Sequence, residues 1–155
     1  MVSILILGIT FLWLEQGCCE ELTRILITGA PGWLGTRLVE KLCEDSENNV
    51  LCLTQPNIDS QILESFGAKV TTTDITLKIP DLKSFGNIDT VFHCAGIIHP
   101  KNVKQLYDVN ANGTKNLLLT AVKYGARRFV YVSSNSVAGI NLHPDLLLKE
   151  YDQNP

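Results

Sequence analysis

The residues with the plainest chemistry are three glycines, Gly29, Gly32 and Gly35, in the stretch RILITGAPGWLG at 24–35. An apolar run, Ile25, Leu26 and Ile27, leads into Thr28, and Leu34, Leu38, Val39 and Leu42 follow the glycines at intervals of three and four. That pattern predicts a strand, a tight turn and a helix. Gly29 opens backbone angles closed to residues with a Cβ, so the chain can leave the strand sharply. Gly32 is expected to leave room for a ligand pyrophosphate to approach the backbone, and Gly35 to let the helix pack close to the strand. Unpaired amides at the helix start, with the positive end of its dipole, would face an anion. The ligand expected from this arrangement is a dinucleotide. The spacing G-x-x-G-x-x-G departs from the commoner G-x-G-x-x-G, so the strand before and the helix after are what set it apart from a bare structural turn.

Other reactive side chains are scattered. His93 ends an apolar run and reads as a buried structural histidine rather than a base, while His99 and His143 fall in loops at no metal-ligand spacing. Three of the five cysteines, Cys18, Cys19, Cys43, Cys52 and Cys94, fall inside apolar patterns, and none shows C-x-x-C spacing. Buried small hydrophobes are expected there, with no metal and no disulfide framework. The net charge is only -3 with acids and bases interspersed, which excludes the clustered basic surface of a nucleic-acid binder.

The elements that must position the glycine turn alternate along the 155 residues. Residues 50–53 read as a second strand, buried on both faces. At its end, where an acid commonly binds the adenosine ribose, stand Thr54 and Gln55. Ile62, Leu63 and Phe66 form the inner face of a short helix ended by Gly67, and a third strand is expected over 69–73, closing on Asp74 and Ile75. Residues 80–86 read as a loop and 89–95 as a fourth strand. A long helix is predicted over 103–124 with Gly125 as its stop, containing Asn110, Gly113, Thr114 and Asn116, which a plain core helix would not select. A fifth strand, 128–133, ends in Ser134. This alternation implies a parallel sheet with right-handed crossovers.

At this point the chain resembles the extended short-chain dehydrogenases, also called the NAD-dependent epimerase/dehydratase family. The matching stretches are TGAPGWLG at 28–35, the Asp74-Ile75 pair, VFHCAG at 91–96, VNANGTKNLL at 109–118 and RFVYVSSNSVAG at 128–139. The resemblance implies an α/β Rossmann-type, doubly wound parallel sheet of about five strands in the order 3-2-1-4-5, C-terminally truncated. It implies NAD as cofactor, with NADP not excluded because neither Thr54 nor Gln55 carries the deciding charge. Gly29, Gly32 and Gly35, with the backbone of Trp33 and Leu34, would hold the pyrophosphate. Asp74 and Ile75 would flank the adenine, the Asp accepting from its amino group. Cys94, Ala95 and Gly96 would line the path to the nicotinamide ribose, and Asn110 would brace the strand ends. Ser134 would be the catalytic hydroxyl on the substrate oxygen that is oxidised or reduced.

The resemblance further implies hydride transfer at a hydroxyl or keto carbon of a nucleotide-sugar or similar alcohol, and a homodimer among the assemblies. One departure stands against it. The family's general acid/base is the Tyr of a Y-x-x-x-K motif, and no tyrosine of this sequence is followed by Lys at that spacing. LLKEYDQNP at 147–155 resembles the loop just before that Tyr, so the chain is expected to be an N-terminal piece, incomplete after residue 155. A non-catalytic dinucleotide-binding module and an inactive fragment are the alternatives. The domain reading is 23–155 for the dinucleotide-binding domain and 1–22 for a hydrophobic extension. Residues 4–14, ILILGITFLWL, are too few to span a bilayer and read as a signal core or membrane anchor, against an appended strand or disordered extension. The cytoplasm is the expected location, with secretion or anchoring as the alternative carried by that extension.

Overall fold

The computed structural model describes residues 22–134. The extension before Leu22 and the segment after Ser134, with Cys18, Cys19 and His143, lie outside the described residues. Five strands, β1 (Thr23–Thr28), β2 (Asn48–Thr54), β3 (Lys69–Thr72), β4 (Thr90–His93) and β5 (Arg128–Tyr131), pair in parallel in the order β3-β2-β1-β4-β5. Helices α1 (Trp33–Cys43) and α2 (Gln61–Ser65) follow the first two strands; α3 (Val103–Tyr107) and α4 (Thr114–Lys123) carry the chain from β4 to β5. This is the expected sheet order. Among the described residues no helix is long and apolar enough to cross a membrane.

The central strands β1, β2 and β4 are apolar because both faces of the sheet are covered there. Ile25, Ile27, Val50 and Cys52 point into one core with Val39 of α1 and Leu63 of α2. Leu26, Leu51, Leu53 and Val91 point into the other with Leu117, Ala121 and Tyr124. Successive side chains alternate between faces, so the in-register pairs Ile25 with Val50 and Leu26 with Leu51 feed opposite cores.

Residues 80–86 are a loop, as expected, yet they act as core. Leu82 and Phe85, with Ile79 and Ile88 on either side, are all under 9% exposed and seal the sheet beside α4. The Tyr124 hydroxyl fastens them: it donates to Asp81 Oδ1 at 2.6 Å and accepts from the Leu82 amide at 2.8 Å. That bond holds the Asp81 carboxyl below the usual carboxylate range. Tyr124→Phe leaves the Leu82 amide without its acceptor and is expected to cost about 1–3 kcal/mol, read as a lower urea midpoint at unchanged slope.

The predicted helix over 103–124 runs from Val103 to Lys123, with its regular turns interrupted in the middle. Between α3 and α4 the backbone takes a π-helical turn, Asp108–Gly113. At the end of that turn the Thr114 hydroxyl donates to the Asn110 carbonyl at 2.7 Å. That carbonyl would otherwise accept the Thr114 amide in a regular helix. The widened turn holds two of the residues that looked out of place in a core helix, Asn110 and Gly113, with Thr114 directly after it.

Candidate functional site

A cleft of about 450 Å³ opens at the carboxyl ends of the strands, where open parallel sheets bind ligands. Its floor is the turn between β1 and α1: Thr28, Gly29, Ala30, Pro31 and Gly32. Gly29 has φ +86°, and a Cβ there would stand 2.4 Å from the carbonyl carbon of Cys94. The turn therefore closes against the end of β4. Gly32 and Gly35 serve the same point from the other side. Cβ atoms at Gly32 and Gly35 would lie 2.6 and 2.5 Å from the Gly29 carbonyl oxygen, and the Gly32 amide donates to that oxygen at 3.0 Å. The glycine at 32 thus makes room for the turn's own carbonyl, and the glycine at 35 packs the helix on the turn rather than on the strand.

Helix α1 starts at Gly32 with no side-chain cap and no acidic residue in its first turn, so its first amides have no intrahelical partner and its positive end is uncompensated. Trp33 and Leu34 are 84% and 43% exposed. Neither they nor the buried Gly35 is part of the cleft wall.

One wall is Cys94, Ala95 and Gly96; the facing wall includes Leu53, Gln55, Thr73 and Ile75. Burial pushes the Cys94 thiol up from its ordinary value. Thr54 is buried, and its hydroxyl has no partner among the described residues. Gln55, exposed, is therefore the group that the end of β2 presents to the cleft. Ile58, in the loop after it, also lines the cleft, and no periodicity singles it out. Asp74 sits just outside, in an adjoining polar pocket with Gln55, Lys101 and Lys104, where its Oδ1 accepts from the Thr76 amide at 2.9 Å.

The irregular helix braces both walls. The Asn110 side chain grips Ile97 twice, its Oδ1 accepting from the Ile97 amide at 2.9 Å and its Nδ2 donating to the Ile97 carbonyl at 2.8 Å. Gly113 lies against Ile75, where a Cβ would come within 3.0 Å of that side chain. Asn116 Nδ2 donates to the carbonyls of Ile75 and Leu77 at 3.0 and 3.2 Å. Ser134 stands in a second, mostly apolar groove of about 560 Å³ with Ile98, Val103 and Tyr107, whose inner wall is Ile97 and Asn110. Ser134 and the glycine turn therefore belong to neighbouring hollows, separated by the Asn110–Ile97 clamp.

His93 is fully buried, and its partners are hydroxyls rather than backbone groups. Nδ1 lies 2.7 Å from Thr28 Oγ1 and Nε2 lies 2.8 Å from Thr114 Oγ1. Burial pushes its pKa from 6.5 down to about 4, so the ring is neutral at pH 7. The sequence signals for this link were a polar residue at the end of each of two apolar strands, Thr28 and His93.

This fold recurs in known proteins. A curated 3β-hydroxysteroid dehydrogenase/Δ5→4-isomerase of Mycobacterium tuberculosis H37Rv is 33% identical over 136 residues, covering 79% of this chain and 35% of that protein. An uncharacterised protein, y4nL, of Sinorhizobium fredii is 36% identical over 133 residues, covering 78% of the chain and 37% of its own length. The chain thus spans little more than a third of these relatives. Among solved structures, a UDP-galactose 4-epimerase superposes with a TM-score of 0.69 at 25% identity, over 86% of this chain and 45% of that one. A UDP-glucuronic acid 4-epimerase from Bacillus cereus in complex with NAD gives 0.64 at 26% identity, over 77% and 42%. The family model for the NAD dependent epimerase/dehydratase family matches residues 25–154, which span the glycine turn, both cleft walls and Ser134: the chain belongs to that family.

Proposed function

We propose that this chain is the NAD(P)-binding part of an extended short-chain dehydrogenase or epimerase that moves hydride at a hydroxyl or keto carbon. The observation that carries this reading is the glycine turn leading into the uncapped start of α1, whose N-cap Gly32 lines a cleft with a volume in the usual range for small-molecule sites. The residues fit the cofactor. Gly29 and Gly32, with the Trp33 and Leu34 amides, would hold the pyrophosphate. Ile75 supplies an apolar face for the adenine, with Asp74 next to it as acceptor for the amino group. Cys94, Ala95 and Gly96 border the nicotinamide side. When bound, the cofactor supplies or takes up the hydride.

The chain's own contribution to the chemistry is placement. The clamp of Asn110 on Ile97 fixes the border between cleft and groove, and Ser134 would orient the reacting oxygen of a substrate in that groove. A nucleotide-sugar or similar alcohol is the substrate class this reading takes. NAD is the cofactor this reading takes first, with NADP open, because the neutral Gln55 neither binds the ribose hydroxyls as an acid would nor repels a phosphate. A second reading, a dinucleotide-binding module without hydride transfer, rests on the lack of a Y-x-x-x-K sequence in the 155 residues.

The test is a titration of the purified chain with NAD(H) and NADP(H), followed by tryptophan fluorescence and melting. At about 100 times Kd the bound form gains about 2.7 kcal/mol, a melting shift of roughly 5–10 °C. Gln55→Asp places a carboxylate where an NADP phosphate would lie and is expected to favour NAD by about tenfold. A folded chain that binds neither dinucleotide would sink both readings. Binding with no turnover of added alcohols would favour the second.

A further inference from the structure

Two hollows that must act together, the cofactor cleft and the Ser134 groove, are joined by one buried line of hydrogen bonds. We propose that His93 and Thr114 are positioning residues that hold the wall between them, through a relay running from Thr28 in the cleft to Ile97 in the groove. The dependence on cofactor affinity rests on the function proposed above; the relay itself does not.

The direction of every bond follows from proton counting. The Thr114 hydroxyl has one proton, and it goes to the Asn110 carbonyl at 2.7 Å. At its contact with His93, 2.8 Å away, Thr114 must therefore accept, so His93 carries its proton on Nε2. A neutral ring then leaves Nδ1 bare, and the Thr28 hydroxyl donates to it across 2.7 Å. The opposite tautomer would turn the Thr114 proton toward Nε2 and release the Asn110 carbonyl. With that release the Asn110 side chain, which makes both bonds to Ile97, would lose the anchor of its own backbone. Rings of Phe129 and Tyr131, with centroids 6.0 and 5.4 Å from that of His93, stop the imidazole from turning to another partner. One buried tautomer thus anchors Asn110, and Asn110 holds the wall.

The first test needs no variant and no ligand. Long-range ¹H–¹⁵N spectra of the chain at pH 7 should show His93 as the neutral Nε2–H tautomer; an Nδ1–H or doubly protonated ring would overturn the proposal. The second uses Thr114→Val, which keeps the shape without the hydroxyl, and Thr114→Ser, which restores it. Valine should speed hydrogen exchange at the Ile97 amide and weaken NAD(H) binding, each about tenfold, the size of one lost hydrogen bond; serine should return both to the native range. Native exchange at Ile97 in the valine variant would overturn the relay, as would a serine variant as impaired as valine. Should the valine chain not fold, the wild-type spectrum and the serine variant decide. If wild-type chain binds no dinucleotide, the function proposed above fails, and the tautomer and the Ile97 exchange rate still judge the relay.

Discussion

Gly29→Ala is expected to destabilise the chain by about 4 kcal/mol or more, at the far end of what single substitutions do, and to abolish dinucleotide binding. Two costs add. An alanine at φ +86° pays the left-handed backbone penalty of roughly 1–2 kcal/mol. Its methyl then meets the Cys94–Ala95 peptide at 2.4–2.6 Å, and those neighbours are backbone atoms with no rotamer to yield. Relief requires the end of β1 to part from the end of β4, whose Cys94 amide donates to the Thr28 carbonyl at 3.1 Å. Gly67 provides the control. It has φ +96° at the end of α2 with nothing within 4 Å of the added atom, so Gly67→Ala should cost only the backbone penalty, roughly 1–2 kcal/mol. Urea unfolding of the two variants separates strain from collision. Equal losses would mean that the turn can shift aside and that close approach to β4 is not what Gly29 is there to allow.

The contrast between these glycines marks what could be read from the sequence. The strands and the turn were legible because they rest on local signals: short apolar runs, stop residues and a glycine cluster between strand and helix; the strand order came only with the family resemblance. The function of each glycine was only partly legible. That Gly32 and Gly35 both make room for the Gly29 carbonyl depends on how the turn folds back on itself, and no spacing rule carries that information. The predicted helix over 103–124 runs over 103–123, but the π-helical turn inside it was not legible, for a related reason. Apolar positions on each side of the insertion keep helical intervals, so periodicity runs through it unmarked. Asn110, Gly113, Thr114 and Asn116 stood out as unsuitable for a core, but their partners, Ile97, Ile75, His93 and Leu77, are distant in sequence. Residues 80–86 were read as a loop because burial there follows from docking on α4, not from any repeating pattern. The separation of Ser134 from the cofactor cleft is likewise a property of the assembled walls.

The second large effect concerns acid. Burial alone sets the His93 pKa at about 4 in the native chain, against an ordinary 6.5; among the described residues its polar and ring contacts are two hydroxyls and two aromatic rings, with no carboxylate to welcome a charge. Between pH 6.5 and 4 the unfolded chain takes up a proton at this residue that the native chain refuses, so the unfolded state binds more protons and stability must fall as the pH falls. The full contribution is present above pH 6.5, is lost progressively through the window and levels off below about pH 4, once the native ring also charges. A gap of that size corresponds to about 3 kcal/mol, most of it gone by about pH 4.5. Asp81 and Asp108, whose carboxyls are held low by Tyr124 and Lys104, lose their contributions only as the pH falls through and below the ordinary carboxylate value, so the upper part of the window belongs to histidine. His93→Gln isolates the effect. A glutamine amide can still donate to Thr114 and accept from Thr28 but does not titrate across this range. The variant should start less stable at pH 7 through imperfect packing, yet keep a nearly flat curve from pH 6.5 to 4.5 while the wild type descends toward it. Parallel curves would show that the native imidazole protonates freely, and a buried ring that protonates freely cannot be the neutral link between Thr28 and Thr114.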